Sequence, residues 1–103
     1  MTREPCVYLL ARSSHDTFYT GVTSNLVQRV WQHRTEAFDG YTAEYGIKRL
    51  VWFERHECME TAFRREKQIK RWLRHWKYDL VSAANPTWRD PAEDFGFPPL
   101  PLA

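Results

Sequence analysis

Short apolar runs separated by polar stretches mark the first half of the chain. The run at Cys6–Ala11 is apolar without strict alternation, which is typical of a strand covered on both faces. Polar residues at 12–16 predict a hairpin connection, and the second strand is then expected to end at Gly21. β-Branched and aromatic residues at 49–54 predict a third strand. This half of the chain therefore predicts a small sheet.

Helical patterns lie on both sides of the third strand. Thr23 or Ser24 is a natural N-cap for a helix that begins near Asn25. The clearest helix is predicted at 59–74, where apolar residues recur on one face, and a shorter one at 76–84 ends before a proline. The expected fold class is α/β, a small three-stranded antiparallel sheet flanked by helices.

Two stretches lack a regular pattern. Residues 35–46 contain glycines and predict a loop that holds one helical turn. Beyond Asn85, five prolines predict extended chain that lies on the body or is free in solvent. We therefore divide the chain into one domain over residues 1–90 and a proline-rich C-terminal tail over residues 91–103.

Composition narrows the class of protein to a single globular domain. The 103 residues are 43% hydrophobic and 16% aromatic, which suits one modest core and argues against disorder. No apolar run is long enough to span a membrane, and the N-terminus lacks a secretory pattern. Cys6 and Cys58 lie far apart and the histidines show no zinc-binding spacing, so we expect reduced thiols, no structural zinc and a cytoplasmic location.

Charge is distributed unevenly along the chain. The formal net charge is +2, but residues 64–77 hold seven Lys or Arg against one acid, Glu66. A local basic patch indicates an anionic partner, most commonly nucleic acid, and the simpler alternative is a solvated helix face. The candidate phosphate contacts are Arg64, Arg65, Lys67, Lys70, Arg71, Arg74 and Lys77, with help from Arg34 and Lys48.

Four side chains in the first 33 residues are expected to converge. If the hairpin turn is centred between residues 13 and 14, Tyr8 lies opposite Tyr19, and opposed residues project from the same sheet face. On the first helix His33 continues an apolar stripe, and Arg29 lies one turn earlier on its flank. Each residue alone is explained by packing or by a solvated helix face. Together they indicate a chemical site.

Glu66 interrupts the apolar face of the longest predicted helix. That face consists of Ala62, Phe63, Glu66, Ile69 and Leu73. A charge on a core-facing position costs several kcal/mol unless it is paired or binds a metal. The alternative is a pair with Lys70 at i+4, a surface contact that contributes only about 0.3–0.5 kcal/mol.

Taken together, the candidate residues suit hydrolysis of a phosphodiester. A phenol or imidazole can take a proton from water, and an arginine can stabilise the pentavalent phosphorus. One carboxylate, with water and phosphate as the other ligands, can hold Mg²⁺ or Mn²⁺ rather than zinc. The sequence therefore favours a metal-assisted phosphodiester hydrolase.

At this point the chain resembles the GIY-YIG nuclease superfamily, in particular its small stand-alone bacterial members and the N-terminal domain of the bacterial excinuclease. Cys6-Val7-Tyr8 matches the first tripeptide and Tyr19-Thr20-Gly21 the second. The similarity continues through Arg29 and His33 and covers about residues 5–90. The family's metal-binding glutamate falls on Glu66.

The resemblance implies a divalent-metal-dependent endonuclease that acts on DNA more than RNA, structure-selectively, in DNA repair or processing. The implied catalytic residues are Tyr8, Tyr19, Arg29, His33 and Glu66, with Glu66 as metal ligand. The expected nucleic-acid contacts are Arg65, Lys67, Lys70, Arg71 and Arg74. We further expect Mg²⁺ or Mn²⁺ as cofactor, no membrane partner, and a monomer or weak homodimer.

Two other classes of function remain open from the sequence. One is a nucleic-acid-binding module that keeps the scaffold and the basic helix without useful catalysis. The other is a protein-interaction domain with the proline-rich tail as its contact, which leaves Glu66 in the apolar stripe unexplained.

Overall fold

Three strands, three α-helices and a short 3₁₀ helix form the regular structure in the computed structural model, which describes residues 4–12, 17–35, 46–98 and 100. The strands are β1 (Cys6–Ala11), β2 (Phe18–Thr23) and β3 (Arg49–Arg55). The helices are α1 (Leu26–Arg34), α2 (Met59–Lys70), α3 (Arg74–Ala84) and a 3₁₀ helix at Pro91–Phe95. The sheet is antiparallel with the order β2–β1–β3, which confirms the predicted fold class.

β1 is the central strand and is buried on both faces. All six of its residues are at most 2% exposed, which explains why its sequence does not alternate. Val7, Leu9 and Ala11 point to the face covered by α2 and α3, where they meet Ala62, Ile69 and Val81. Cys6, Tyr8 and Leu10 point to the opposite face, where they meet Leu26, Val30 and Ala92.

The register of β1 with β2 differs from the prediction by two residues. Tyr8 lies opposite Gly21, and Tyr19 lies opposite Leu10, so the expected Tyr8–Tyr19 pair is wrong. A shift of two residues keeps each side chain on its original face, because side chains alternate with a period of two. The two tyrosines therefore still share a face. The predicted hairpin turn at residues 13–16 and the helical turn predicted within 35–46 lie largely outside the described residues.

β2 is longer than predicted, and α1 begins with a different cap. The strand continues past Gly21 to Thr23, and Asn25 is the N-cap, whose side chain accepts a hydrogen bond from the Gln28 backbone N–H at 3.1 Å. The Thr23 hydroxyl instead accepts from the Asn25 backbone N–H at 3.0 Å. Thr23 therefore holds the turn that precedes the cap.

The helix predicted at 59–74 ends early. α2 stops at Lys70, since the backbone N–H groups of Arg71 and Trp72 donate to carbonyls three residues earlier and tighten the last turn. Leu73 has an extended backbone and is the N-cap of α3. The helix begins at Arg74, two residues before the predicted start. Phe63 and Leu73, assigned to the buried stripe, are 48% and 56% exposed.

The chain beyond Asn85 is more ordered than an extended tail. The Asp90 carboxylate accepts from the Ala92 backbone N–H at 2.9 Å and caps the 3₁₀ helix. The same carboxylate pairs with Arg34 of α1 at 2.8 Å, and Asp90 is completely buried. This segment packs beside α1 and β3 and covers the face of the sheet that carries Tyr8. None of the helices within the described residues has the length and apolar character needed to cross a membrane.

Candidate active site

Tyr8 reaches the site by crossing the edge strand of the sheet. Its ring lies over Gly21 of β2, where an added Cβ would lie 2.3 Å from Tyr8 Cζ and 2.4 Å from the phenol oxygen. Such distances are far inside van der Waals contact, so any side chain at position 21 would displace the ring. The close approach of Tyr8 therefore requires glycine at position 21. Because Gly21 has no side chain, the Tyr8 phenol can reach the β2 edge.

Three aromatic rings form the centre of the site. The ring centroids of Tyr8 and Tyr19 are 6.3 Å apart, those of Tyr8 and His33 are 5.9 Å apart, and those of Tyr19 and His33 are 5.5 Å apart. The Tyr8 and His33 rings have the edge-to-face geometry that aromatic groups prefer, and the other two pairs are tilted. Tyr8 and His33 are buried, whereas Tyr19 is partly exposed. Tyr19 is therefore the ring of this cluster that solvent reaches most readily.

A hydrogen bond of 3.1 Å joins the Tyr8 hydroxyl to His33 Nε2. Burial raises the pKa of Tyr8 far above its ordinary value, and the neighbouring Tyr19 raises it further. Burial also lowers the pKa of His33 to about 4, with a further contribution from the positive charge of Arg29. At neutral pH the phenol is therefore protonated and the imidazole neutral, so a single proton is shared between the Tyr8 hydroxyl and His33 Nε2.

Arg29 and Glu66 approach the ring cluster from opposite sides of the sheet. The charge of Arg29 acts on the pKa values of both Tyr8 and His33, and that of Glu66 adds to the raised pKa of Tyr8. Arg29 is on α1, whereas Glu66 is on α2, which packs on the other face against β1 and β2. All five predicted catalytic residues therefore occupy one neighbourhood at the β2 edge.

Glu66 is mostly buried and forms an ion pair with Lys70. Its side chain is 12% exposed, and its Oε2 atom lies 3.2 Å from Nζ of Lys70, whose own side chain is 54% exposed. The i, i+4 alternative noted from the sequence is therefore present. An exposed lysine is a weak partner, because water competes for its charge.

The described residues fit a divalent ion held by very few protein ligands. No group of three or more His, Cys, Asp or Glu that could hold a metal ion is assembled in the described ranges. Glu66 offers a carboxylate near the phenol, and the observed ion pair engages its Oε2 atom. One carboxylate with water and phosphate completing the shell suits Mg²⁺ or Mn²⁺.

The basic residues of α2 and the following turn differ in their availability. Lys67, Arg71 and Arg74 are exposed, and Lys70 is paired with Glu66. Arg65 is 24% exposed, approaches Glu54 at 3.3 Å and lies 5.3 Å over the Trp72 ring. The expected help from Arg34 is wrong, because its side chain is 8% exposed and bound to Asp90.

Two features of this region were missed from the sequence. The contact of the Tyr8 ring with Gly21 follows only from the observed register. A glycine two residues after Tyr19 was the available signal that a ring could pack over this strand. The Arg34–Asp90 pair joins residues 56 positions apart in the chain, and no local pattern predicts it. A lone aspartate before a proline was the available cue, since such residues often cap helices.

Comparison with known proteins places these observations in a family. Residues 4–79 match the GIY-YIG catalytic domain. The UPF0213 protein CPE1444 of Clostridium perfringens is 36% identical over 77 residues, covering 75% of this chain and 82% of the relative. The UPF0213 protein NP_0776A of Natronomonas pharaonis is 34% identical over 82 residues, covering 80% of this chain and 95% of the relative.

A solved structure agrees with the same grouping. The solution NMR structure of the UPF0213 protein BH0048 from Bacillus halodurans superimposes with a TM-score of 0.54 at 29% identity, covering 84% of this chain and 92% of that one. The chain belongs to the GIY-YIG family, whose members are generally nucleases that use divalent metals. Within that family it groups with the small UPF0213 proteins.

Proposed function

We propose that the protein is an endonuclease that hydrolyses phosphodiester bonds of DNA with Mg²⁺ or Mn²⁺ as cofactor. The observation that carries the proposal is the buried Tyr8–His33 hydrogen bond beside Tyr19, with the charges of Arg29 and Glu66 acting on the same phenol. Family membership supports a nuclease, and the arrangement supplies groups suited to that chemistry. DNA repair or processing is the setting we propose for it.

Arg29 and Glu66 have complementary electrostatic roles in this proposal. Arg29 stabilises the negative charge that develops on the pentavalent phosphorus. Glu66 would hold the metal, which when bound supplies a positive charge to the phosphate oxygens and makes a coordinated water more acidic. Lys70 is the neighbour that Glu66 would exchange for such an ion.

Tyr19 is the tyrosine that we assign to the attacking water. It is partly exposed, whereas Tyr8 is 1% exposed and its hydroxyl is already hydrogen-bonded to His33. Tyr8 therefore acts as a positioning residue, which holds the imidazole and packs against Tyr19. The neutral His33 ring, 5.5 Å from the Tyr19 ring by centroids, would help to orient the Tyr19 phenol.

The test is cleavage of supercoiled plasmid by the purified protein in Mg²⁺ or Mn²⁺. The chain carries one such site, so the expected product is a nicked circle, and Glu66→Gln should abolish its formation. Glu60→Gln is the matched control, since Glu60 is on the same helix and makes the same i, i+4 pair with Arg64 at 3.2 Å while being exposed. Nicking should persist in that variant.

Two outcomes would contradict the proposal. Nicking that survives in Glu66→Gln would remove the metal-ligand assignment. A protein that shifts DNA in a gel but leaves it uncut with every divalent metal would be a binding module on the nuclease scaffold.

A further inference from the structure

A groove of about 800 Å³ lies on the outer surface of α2 and the turn that follows it. Its walls combine cations and indole rings. The principal lining residues are Arg64, Arg65, Lys67, Arg71, Trp72 and Trp76. It is separate from the ring cluster, because none of Tyr8, Tyr19 and His33 lines it.

The indoles of this groove are arranged as an accessible stacking surface. Trp76 is 48% exposed, although indole burial is strongly favourable, and its ring meets Trp72 nearly edge-on with centroids 6.4 Å apart. Trp72 is held in place, since it packs against the core and lies beneath the Arg65 guanidinium. The pair therefore presents one anchored ring and one projecting ring.

The charges of the groove favour a polyanion. Lys67 and Arg71 are exposed and make no ion pair with any residue in the described part of the chain. A second copy of the chain would bring the same cations face to face across a two-fold interface, which is unfavourable. A ligand with regularly spaced negative charges and planar groups satisfies both kinds of lining residue.

We propose that this groove binds an unpaired, single-stranded stretch of DNA, with Trp76 stacked on a base and Lys67 and Arg71 on its phosphates. The inference rests on the proposed function, for which it names the substrate class. Bases inside a duplex already stack on their neighbours, so an indole gains contact only with bases that have left the helix. The preferred substrate is thus DNA with a single-stranded overhang, flap or bubble.

The groove lies on the face of α2 opposite Glu66, because Arg64 and Gln68 of its lining fall about 160° around the helix from that residue. Arg65 and Lys67 are the immediate neighbours of Glu66 on α2 and project about 100° to either side of it. Trp72 directly follows Arg71, which is the C-cap of α2. A strand in the groove therefore lies across the helix from the proposed metal ligand, so the groove would hold a part of the substrate away from the bond that is cut.

Binding without cleavage tests this proposal directly. Fluorescence anisotropy in EDTA would compare a labelled oligothymidine of about 20 nucleotides with a duplex of equal length and with oligouridine. We expect tighter binding of the oligothymidine than of either competitor. Trp76→Ala should weaken oligothymidine binding roughly five- to a hundred-fold, which is the range for loss of one stacked base, without changing its salt dependence.

Two further variants keep the result interpretable. Trp76→Phe should retain most of the affinity, because a smaller ring still stacks. Trp31→Ala is the matched control, since Trp31 is 53% exposed on α1 and lies outside the groove, and it should bind as the unmodified protein does. Near-equal affinity for duplex and single strand, or no effect of Trp76→Ala, would overturn the proposal.

Other occupants predict different results. Tighter binding of oligouridine through Trp76 would assign the groove to RNA, and a dimer in sedimentation that dissociates in Trp76→Ala would assign it to a second copy; either result refutes the proposal. Plasmid nicking separates this inference from the proposed function. If the protein nicks plasmid but binds oligothymidine independently of Trp76, only the groove proposal fails. If it binds through Trp76 but never cuts, only the proposed nuclease function fails.

Discussion

The two faces of the sheet differ in where they keep their polar groups. Between β1 and α1, a phenol and an imidazole are buried and hydrogen-bonded to one another, so their pKa values are far from ordinary. Beneath α2 and α3 the interior is apolar, and the charged and aromatic groups lie on the outer surface. In our proposal the first face carries the catalytic groups and the second face contacts the DNA.

The two faces meet at the edge strand β2. Tyr8 crosses this strand over Gly21, and Glu66 approaches it from the helix on the other face. Substitutions on the two faces are therefore expected to change different measured quantities. Substitutions in the ring cluster should change turnover and pH dependence, whereas substitutions on the outer surface of α2 should change binding and salt dependence.

The largest effect is expected from the partly exposed phenol of the ring cluster. Tyr19→Phe should lower kcat by about 100- to 10,000-fold, the usual contribution of a group that handles a proton in the transition state, with little loss of stability. Tyr8→Phe should lower the free energy of unfolding by about 1 kcal/mol through the lost hydrogen bond and reduce kcat less. Nicking rates and urea unfolding would measure both.

Tyr78→Phe is the control for these two variants, because Tyr78 is 47% exposed on α3 and outside the cluster. Its rate and stability should be unchanged. A greater loss of turnover in Tyr8→Phe than in Tyr19→Phe would reverse the assignment of the two tyrosines.

His33 should make stability fall as the solution becomes acidic. Its folded pKa is about 4, below the ordinary 6.5, so between these values the unfolded chain binds more protons and unfolding is favoured. The full contribution is present above pH 6.5, and about 3 kcal/mol is lost as the pH falls to 4. His33→Gln should flatten this part of the curve, whereas His75→Gln, at an exposed position, should not. Parallel curves for the unmodified protein and His33→Gln would contradict the buried neutral imidazole.

The ring cluster was predictable from the sequence to the extent that local periodicity determines it. Alternation placed Tyr8 and Tyr19 on one face even though the register was two residues off, because that error preserves the face. Helical spacing likewise placed His33 towards the core. The end of α2 at Lys70 was not predictable in the same way, since the pattern of Ile69 and Leu73 continues through the break.

The Arg34–Asp90 contact and the groove depend on tertiary structure. Arg34 was counted among the surface cations, but the carboxylate that buries it comes from the other end of the chain. Trp72 and Trp76 lie on either side of the turn between α2 and α3, and only that turn brings their rings together. Local pattern assigns a residue to a face, whereas what covers that face is decided by distant chain.

A smaller effect is expected at the crossing point of the two faces. Gly21→Ala should lower the free energy of unfolding by about 1–3 kcal/mol, because the added methyl overlaps the Tyr8 ring. The cost should shrink in a Tyr8→Ala background, where the space is open. Gly46→Ala is a useful comparison, since nothing lies within 4 Å of its added Cβ and only its φ of +66° opposes the substitution. Equal costs of Gly21→Ala with and without the Tyr8 ring, in a double-mutant cycle by urea unfolding, would show that the contact is not the cause.

The smallest effect per residue is expected from the exposed cations of the second face. Each phosphate neutralised on duplex DNA contributes about 0.9 to the slope of log K against log salt, so one lysine or arginine changes affinity only about two-fold when the salt concentration doubles. Replacing Lys67, Arg71 and Arg74 together by glutamine should therefore flatten the slope by nearly 3 units of that plot, without changing kcat at saturating DNA. Arg12→Gln removes one exposed cation that lies outside α2 and its turn, and it should leave the slope unaltered. Such contacts position the chain without reading bases, so cleavage sites should share no recognition sequence. An unchanged slope in the triple variant, or a fixed sequence at the cut sites, would mean that DNA is held by another surface.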